Sequence, residues 1–488
     1  MSKLKKFPGY CQVLTAAEES AIHLDALNIL EQVGLEVNND KALALFRDCG
    51  CRVETESRRV TLPREVVAEY LAYVPPSFTL YGRDPRFDFT LPEDGPIFGT
   101  ASSGTNVRDP LNGAIRPSRS DDIARIGRLI NEMPGIAMYT CTISATDAAY
   151  EYRNLERFYP ALKNCLKPVR ASGVDCVEEA EKILKLGYIV AGGEEEFKKR
   201  PFIAFHNCPI IAPLKMDHHS TEMLIYFVER GIPTYATIVP NAGLTSPLSL
   251  GATLAQHVAE FLAVATLMQM VKPHTPVMFN SLPTVADLRT GAYAPGAVEC
   301  GLLHMACAQM ARYFNVPCGG YIGQTNSKLP DSQAAYERSI AATGGLLAGM
   351  DMLQIGGLIE ALMTFDYAQL AIDNEIALML QRIVRGIQYS PAENQAALAE
   401  TAQVGPGGVF METPLTLQNL RSLSYIPTIA DRDSRAVWQS EGGKDAPTRA
   451  LDWVKDILSQ ANPHVLDSEV DERIRREFPD LKPGLASL

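Results

Sequence analysis

Groups able to bind a metal, move a proton or hold a charged ligand are few in this sequence and widely dispersed. Eight histidines and ten cysteines are spread over 488 residues. Zinc needs three or four nitrogen or sulfur ligands brought together. The candidates are His304 and Cys307, His218 and His219, and Cys49 and Cys51 around one glycine. A His–Cys pair in mid-helix reads as core, and adjacent histidines on a helix point in different directions, so no metal is expected. The run Gly319-Gly320-Tyr321-Ile322-Gly323-Gln324-Thr325-Asn326-Ser327-Lys328 is glycine-rich but lacks the Gly-Lys-Ser/Thr order of a phosphate loop. Its glycines would let backbone approach a ligand closely. Lys328 reads as a base, an anion partner or a plain surface lysine. Glu360, after Gly356-Gly357, either faces a cationic ligand or caps the next helix.

The elements that must position these groups repeat regularly. Before them, residues 16–34 and 39–48 have helical spacing, Pro63 opens a helix to about Tyr73, and 78–91 alternates as a hairpin. From Pro96, strands are expected at about 97–101, 136–142, 168–172, 202–207, 234–240, 276–280, 317–322 and 352–357. Helices are expected at about 119–133, 148–164, 176–192, 218–230, 250–271, 293–314, 331–348 and 366–386. Pro96, Pro168, Pro201, Pro233, Pro276 and Pro317 lead into strands, where a missing N–H is tolerated. Eight strand–helix units predict an α/β fold, a closed (β/α)8 TIM barrel. No Gly-x-Gly-x-x-Gly follows the first strand to favour an open dinucleotide-binding sheet. The division expected is an N-terminal helical and hairpin layer (1–95), the barrel (96–389) and a C-terminal helical extension (390–488) that holds Trp438 and Trp453.

A barrel places its site at the C-terminal ends of its strands. Those ends carry Thr100 and Ser102, Thr142 and Ser144, Ser172, His206 and Asn207, Asn241, Asn280 and Ser281, Gln324 to Lys328, Gln354 and Glu360. The set is polar and poor in carboxylates, which excludes the acid pair of a glycosidase. It lacks the His and Asp cluster of a bimetallic hydrolase. The net charge of −12 argues against nucleic-acid binding. No uninterrupted apolar run reaches the length of a membrane span, and Met-Ser-Lys-Leu-Lys-Lys-Phe-Pro at the start has no apolar stretch behind it. The scattered cysteines read as reduced thiols, so a cytoplasmic location is expected.

Several segments then occur in order along nearly the whole chain. They are Tyr81-Gly82-Arg83-Asp84-Pro85; Phe98-Gly99-Thr100 with Asp109 and Arg116-Pro117-Ser118; and Ala191-Gly192-Gly193-Glu194. They continue with Leu254-Ala255-Gln256 and Ala259-Glu260; Asp287-Leu288-Arg289-Thr290-Gly291; Asn326-Ser327-Lys328 with Pro330-Asp331 and Gln333; Gly356-Gly357 with Glu360; and Val404-Gly405-Pro406-Gly407-Gly408. This ordered set resembles the trimethylamine methyltransferase family. The Tyr321–Lys328 loop, where the founding members carry pyrrolysine, has only standard residues, so the resemblance is to the non-pyrrolysine branch. It departs from the family in having no histidine in Met411–Asn419 and an asparagine at position 326.

The resemblance implies a (β/α)8 methyltransferase that moves a methyl from a quaternary amine, such as glycine betaine, to Co(I) of a separate corrinoid protein. The sequence has no metal-ligand cluster, phosphate loop or cobalamin-binding Asp-x-His-x-x-Gly pattern, so no tightly bound cofactor is expected, and the barrel mouth is expected to be open enough to admit a corrin face. No nucleic-acid or membrane partner is expected, and a homo-oligomer is. A quaternary nitrogen has no N–H, so charge and aromatic faces must hold it. The expected catalytic residues are His206, Gln324 and Glu360. The expected substrate-binding residues are Phe98, Phe205, Phe279, Tyr321, Lys328 and Phe365, with Trp438 as a further aromatic and Arg289 or Lys328 for a carboxylate. Two other readings stay open: a non-catalytic quaternary-amine-binding protein of the same fold, and a metal-dependent barrel methyltransferase.

Overall fold

A computed structural model describes residues 9–102, 104–387 and 389–487. The first eight residues, read above for a leader sequence, lie outside the described residues. Eight parallel strands make the central sheet: β1 (Ile97–Thr100), β2 (Tyr139–Thr140), β3 (Val169–Ser172), β4 (Ile203–Asn207), β5 (Thr234–Ile238), β6 (Phe279–Ser281), β7 (Cys318–Gly320) and β8 (Met352–Gly356). From β2 to β8 each pairs with the next in sequence, and β8 pairs with β1. The ring closes between β1 and β2, where Ala137 N–H donates to Phe98 O (2.7 Å) and Gly99 pairs with Met138. The expected closed barrel is therefore present. The prolines before the strands give their carbonyls to it: those of Pro168, Pro233 and Pro317 accept from Tyr139, Phe205 and Phe279.

Eight helices cover the ring: α1 (Ser120–Asn131), α2 (Leu155–Asn164), α3 (Val177–Ala191), α4 (His218–Arg230), α5 (Leu250–Val271), α6 (Val298–Tyr313), α7 (Ser332–Ala348) and α8 (Tyr367–Val384). Helix α5 is long and apolar enough to cross a membrane, but most of it is buried in the core. Some of its polar side chains find partners inside the protein: Gln256 Nε2 donates to Thr245 O and to Glu260 Oε1. Two helices are shorter than their periodicity predicts. The 148–164 pattern is a 3₁₀ turn at Tyr150–Tyr152 before α2. The 293–314 pattern starts late because Ala292–Tyr293 pairs back on Ala286–Asp287 as a hairpin.

The N-terminal layer does two things for the barrel. Its helix Ala16–Asn28, opened by a Thr15/Glu18 capping box, packs on α5 and passes into a π turn rather than continuing to residue 34. The hairpin Phe78–Leu80 with Phe89–Leu91 closes the N-terminal end of the barrel. Leu80 and Leu91 meet Ile97, Met138, Ala204, Met278 and Met352 there as an apolar floor. At the C-terminal end of the chain, helix Ala446–Ser459 packs on α8 and helix Ser468–Glu477 on α3. Helix Pro391–Val404, which precedes them in the chain, buries no residue.

Candidate active site

Side chains of a strand alternate between its two faces. The inward positions of the odd strands are Gly99 (β1), Arg170 (β3), Tyr235 (β5) and Gly319 (β7). Those of the even strands are Thr140 (β2), His206 (β4), Asn280 (β6) and Gln354 (β8). This is the layering from alternate strands that fills such barrels, but here the layers are polar. A Cβ at Gly319 would meet Met278 and Met352 of the floor, so glycine there leaves room above the floor.

Arg170 dominates this interior. It is fully buried, and none of its three guanidinium nitrogens has a hydrogen-bond partner among the described residues. Its guanidinium carbon lies 5.3 Å from the Tyr235 ring centroid and 6.0 Å from that of Tyr321. Tyr235 in turn rests on Phe78 of the hairpin. Other interior polar atoms also lack partners among the described residues: the Tyr235 hydroxyl, Asn280 Oδ1, Gln354 Oε1 and Gln324 Oε1. Buried polar groups are normally satisfied, and each exception calls for an explanation such as a ligand.

Across the mouth runs a short hydrogen-bonded chain. Ser102 Oγ lies 2.9 Å from the Tyr321 hydroxyl, which lies 3.2 Å from His206 Nδ1. Cys208 Sγ lies 3.9 Å from His206 Nε2. Burial, and then the charges of Arg170 and Arg157, hold the His206 imidazole well below its usual range, so it is neutral. Cys208 is exposed, and desolvation by the protein packed around it pushes its thiol up to about 11. The interior therefore offers hydrogen bonds, aromatic faces and one positive charge, with no carboxylate paired to that charge.

The structure brings His206 and Tyr321 together, and Gln324, on the loop just after Tyr321, donates its Nε2 to Gln354 O (2.7 Å). Glu360 is half-buried on the loop beyond β8, accepting from Thr364 Oγ1 (2.7 Å), and its backbone N–H donates to Ser327 O. Glu360, Ala361 and Leu362 all have positive φ (53°, 51° and 75°), and backbone bonds to Ser327 and Thr325 pin this strained turn to the Gln324–Lys328 loop.

The expected aromatic cage does not converge. Phe98, Phe205 and Phe279 face outward between sheet and helices: Phe205 stacks on Phe227 at 3.9 Å, and Phe279 packs on Phe261 at 4.3 Å. The physical reason is parity, since each is next to an inward residue (Gly99, His206, Asn280). Phe365 is buried in an outlying sheet against Tyr367. Lys328 is exposed and bonds Asn326 O, and Arg289 is exposed and paired with Asp287. Trp438 donates its indole N–H to Lys444 O on the C-terminal extension. Arg170 and Tyr235, which the strand-end rule passed over, occupy the interior instead.

Other clusters do not compete. His257 and His304 are buried and held neutral, at about 3 and about 4, by desolvation. Cys307 contacts His257 Nδ1 (3.4 Å) rather than His304. His218, His219 and Glu222 place ligand atoms within 4.8 Å of one another, closer than the divergence expected of neighbouring histidines. All three are exposed, however, and His218 and His219 open α4, where the helix dipole disfavours a cation. A cleft of about 350 Å³ lined by Phe78, Tyr235 and His274 opens at the N-terminal end, away from the strand ends where barrel chemistry resides.

The family model described as trimethylamine methyltransferase (MTTB) matches residues 2–481. The chain is 30% identical to the trimethylamine methyltransferase MttB of Desulfitobacterium hafniense, covering 93% of this chain and 91% of that protein. It is 30% identical to a glycine betaine methyltransferase of the same species, with 96% of each covered. It is 29% identical to the trimethylamine methyltransferase MttB of Methanosarcina thermophila, over 94% and 95%.

Proposed function

The chain belongs to the trimethylamine methyltransferase family, and from that premise we propose that it moves a methyl group from a quaternary amine, glycine betaine or a related betaine, to Co(I) of a separate corrinoid protein. The observation that carries this reading is the barrel interior, lined by unpartnered polar atoms and tyrosine faces. In the transfer, the carbon–nitrogen bond leaves its electron pair on nitrogen and the methyl carbon takes the pair of Co(I). The departing tertiary amine is neutral, so no acid need protonate it. A site without paired carboxylates and with a neutral His206 suits such a reaction. The protein's tasks are to hold the amine, aim one methyl at the mouth and exclude water. Tyr321 offers a face to the cation, worth roughly 0.5–2 kcal/mol. His206, Gln324 and Glu360 stand as the residues nearest the transferred methyl, and Lys328 as a rim residue on the side where the corrinoid protein docks.

In this reading the chain itself holds no tightly bound cofactor and works in the cytoplasm, which ten free thiols favour. It works as a homo-oligomer. Support comes from apolar residues left exposed on helix faces, such as Leu302, Ile340 and Ile383, and on the extension, such as Leu398, Val409 and Met411. A thermal-shift titration with quaternary amines tests the function, because a ligand that binds only the folded state raises the midpoint. Glycine betaine should do so; no shift with any betaine would remove the reading.

A further inference from the structure

We propose that Arg170 is the carboxylate anchor of this site: its guanidinium, at the base of the barrel interior, binds the acid end of a zwitterionic substrate and so turns the trimethylammonium end toward the mouth. This rests on the quaternary-amine reading above and deepens it by one residue. A guanidinium carries five N–H donors in a planar fork that matches a carboxylate. Here the whole fork is buried between Tyr235 and Tyr321 and bonds to nothing among the described residues.

An uncompensated buried charge is costly to the fold, and proteins retain one only where something offsets it. Tyrosine faces offset part of that cost, but they cannot accept along the N–H directions. An anion entering from the mouth would complete the arrangement. The other two arginines that reach toward the strands are already engaged: Arg157 with the carbonyls of Ser172 and Cys141, and Arg338 with Asp373.

The same charge selects and orients the ligand. A cation without an acid group, such as choline or trimethylammonium, meets Arg170 as a repulsive neighbour. A betaine meets it as a salt-bridge partner and can enter only acid-first. Its nitrogen then lies toward Tyr321, His206 and the strand ends, where a methyl acceptor arrives.

Calorimetry on the full chain tests this with two ligands that share a trimethylammonium head, glycine betaine and choline, against wild type, Arg170→Met and Arg170→Lys. Wild type should prefer glycine betaine. Arg170→Met should weaken glycine betaine by about a hundredfold, leave choline unchanged or tighter, and melt without ligand at or above the wild-type temperature, because a buried unpaired charge is gone. Arg170→Lys keeps the charge but loses the fork, and should fall between the two. If wild type binds glycine betaine and both variants bind it equally well, the anchor is overturned while the functional reading stands. If both variants melt well below wild type, Arg170 belongs to the scaffold and the inference is likewise overturned. If wild type binds no quaternary amine, the functional reading fails and the anchor fails with it.

Discussion

Replacing Glu260 by glutamine should make the protein more stable at pH 8 and leave it unchanged near pH 4.5. Glu260 lies on α5, fully buried. Its Oε1 accepts from the Leu214 N–H (2.9 Å) and from Gln256 Nε2 (3.0 Å), which clamps the segment between β4 and α4 onto the helix. Its Oε2 has no partner among the described residues. Burial pushes the carboxyl from its usual 4.5 up to about 7. The folded state thus holds this proton to a higher pH than the unfolded chain does. Below 4.5 both states are protonated and nothing is lost. As pH rises from 4.5 to 7, the unfolded chain ionises first and stability falls; above 7 the loss is complete. At about 1.4 kcal/mol per pKa unit, the loss amounts to about 3 kcal/mol. Glutamine keeps the acceptor oxygen and cannot ionise, so its stability should not fall in that window. Urea unfolding followed by circular dichroism at pH 4.5, 6 and 8 reads the difference. Parallel pH profiles for the two proteins, or a glutamine variant less stable at pH 8, would refute the assignment of Glu260 as a buried, proton-holding clamp.

Other substitutions separate site from scaffold. Tyr321→Ala removes an aromatic face and should weaken glycine betaine about tenfold, near 1.4 kcal/mol, by calorimetry on folded protein; Tyr321→Phe keeps the face and should stay within about threefold. Phe205→Leu loses the stack on Phe227 and should cost about 1–2 kcal/mol of stability in chemical denaturation with betaine affinity unchanged, since the ring faces the helices.

The barrel was legible in the sequence because each strand is a short apolar or β-branched run, often led by a proline, with a long helical pattern after it. Helix α4 even begins and ends where its periodicity predicts, at His218 and Arg230. The interior was harder to read. Taking His206 as inward already obliges Phe205 to face outward, because side chains alternate; the same holds for Phe279 beside Asn280. Parity applied along β3 would have turned Arg170 inward, between the outward residues Val169 and Ala171. Attention to strand ends alone stopped at Ser172, although a long side chain starting one layer lower reaches the same space. Hairpins formed from loop residues, such as Ala292–Tyr293 on Ala286–Asp287, left no signal in helical periodicity, so α6 was expected too early.

The central claim is methyl transfer, and its most direct measurement is optical. The purified chain is mixed with glycine betaine and a corrinoid protein reduced to Co(I), and the absorbance is followed while the amine product is quantified. The account predicts loss of the Co(I) spectrum, growth of the methylated corrinoid and one equivalent of dimethylglycine per methyl transferred, with none of these when the chain or the betaine is left out. A chain that binds glycine betaine tightly yet leaves Co(I) unmethylated with every corrinoid protein offered would contradict it, and would identify a binding protein on a methyltransferase fold.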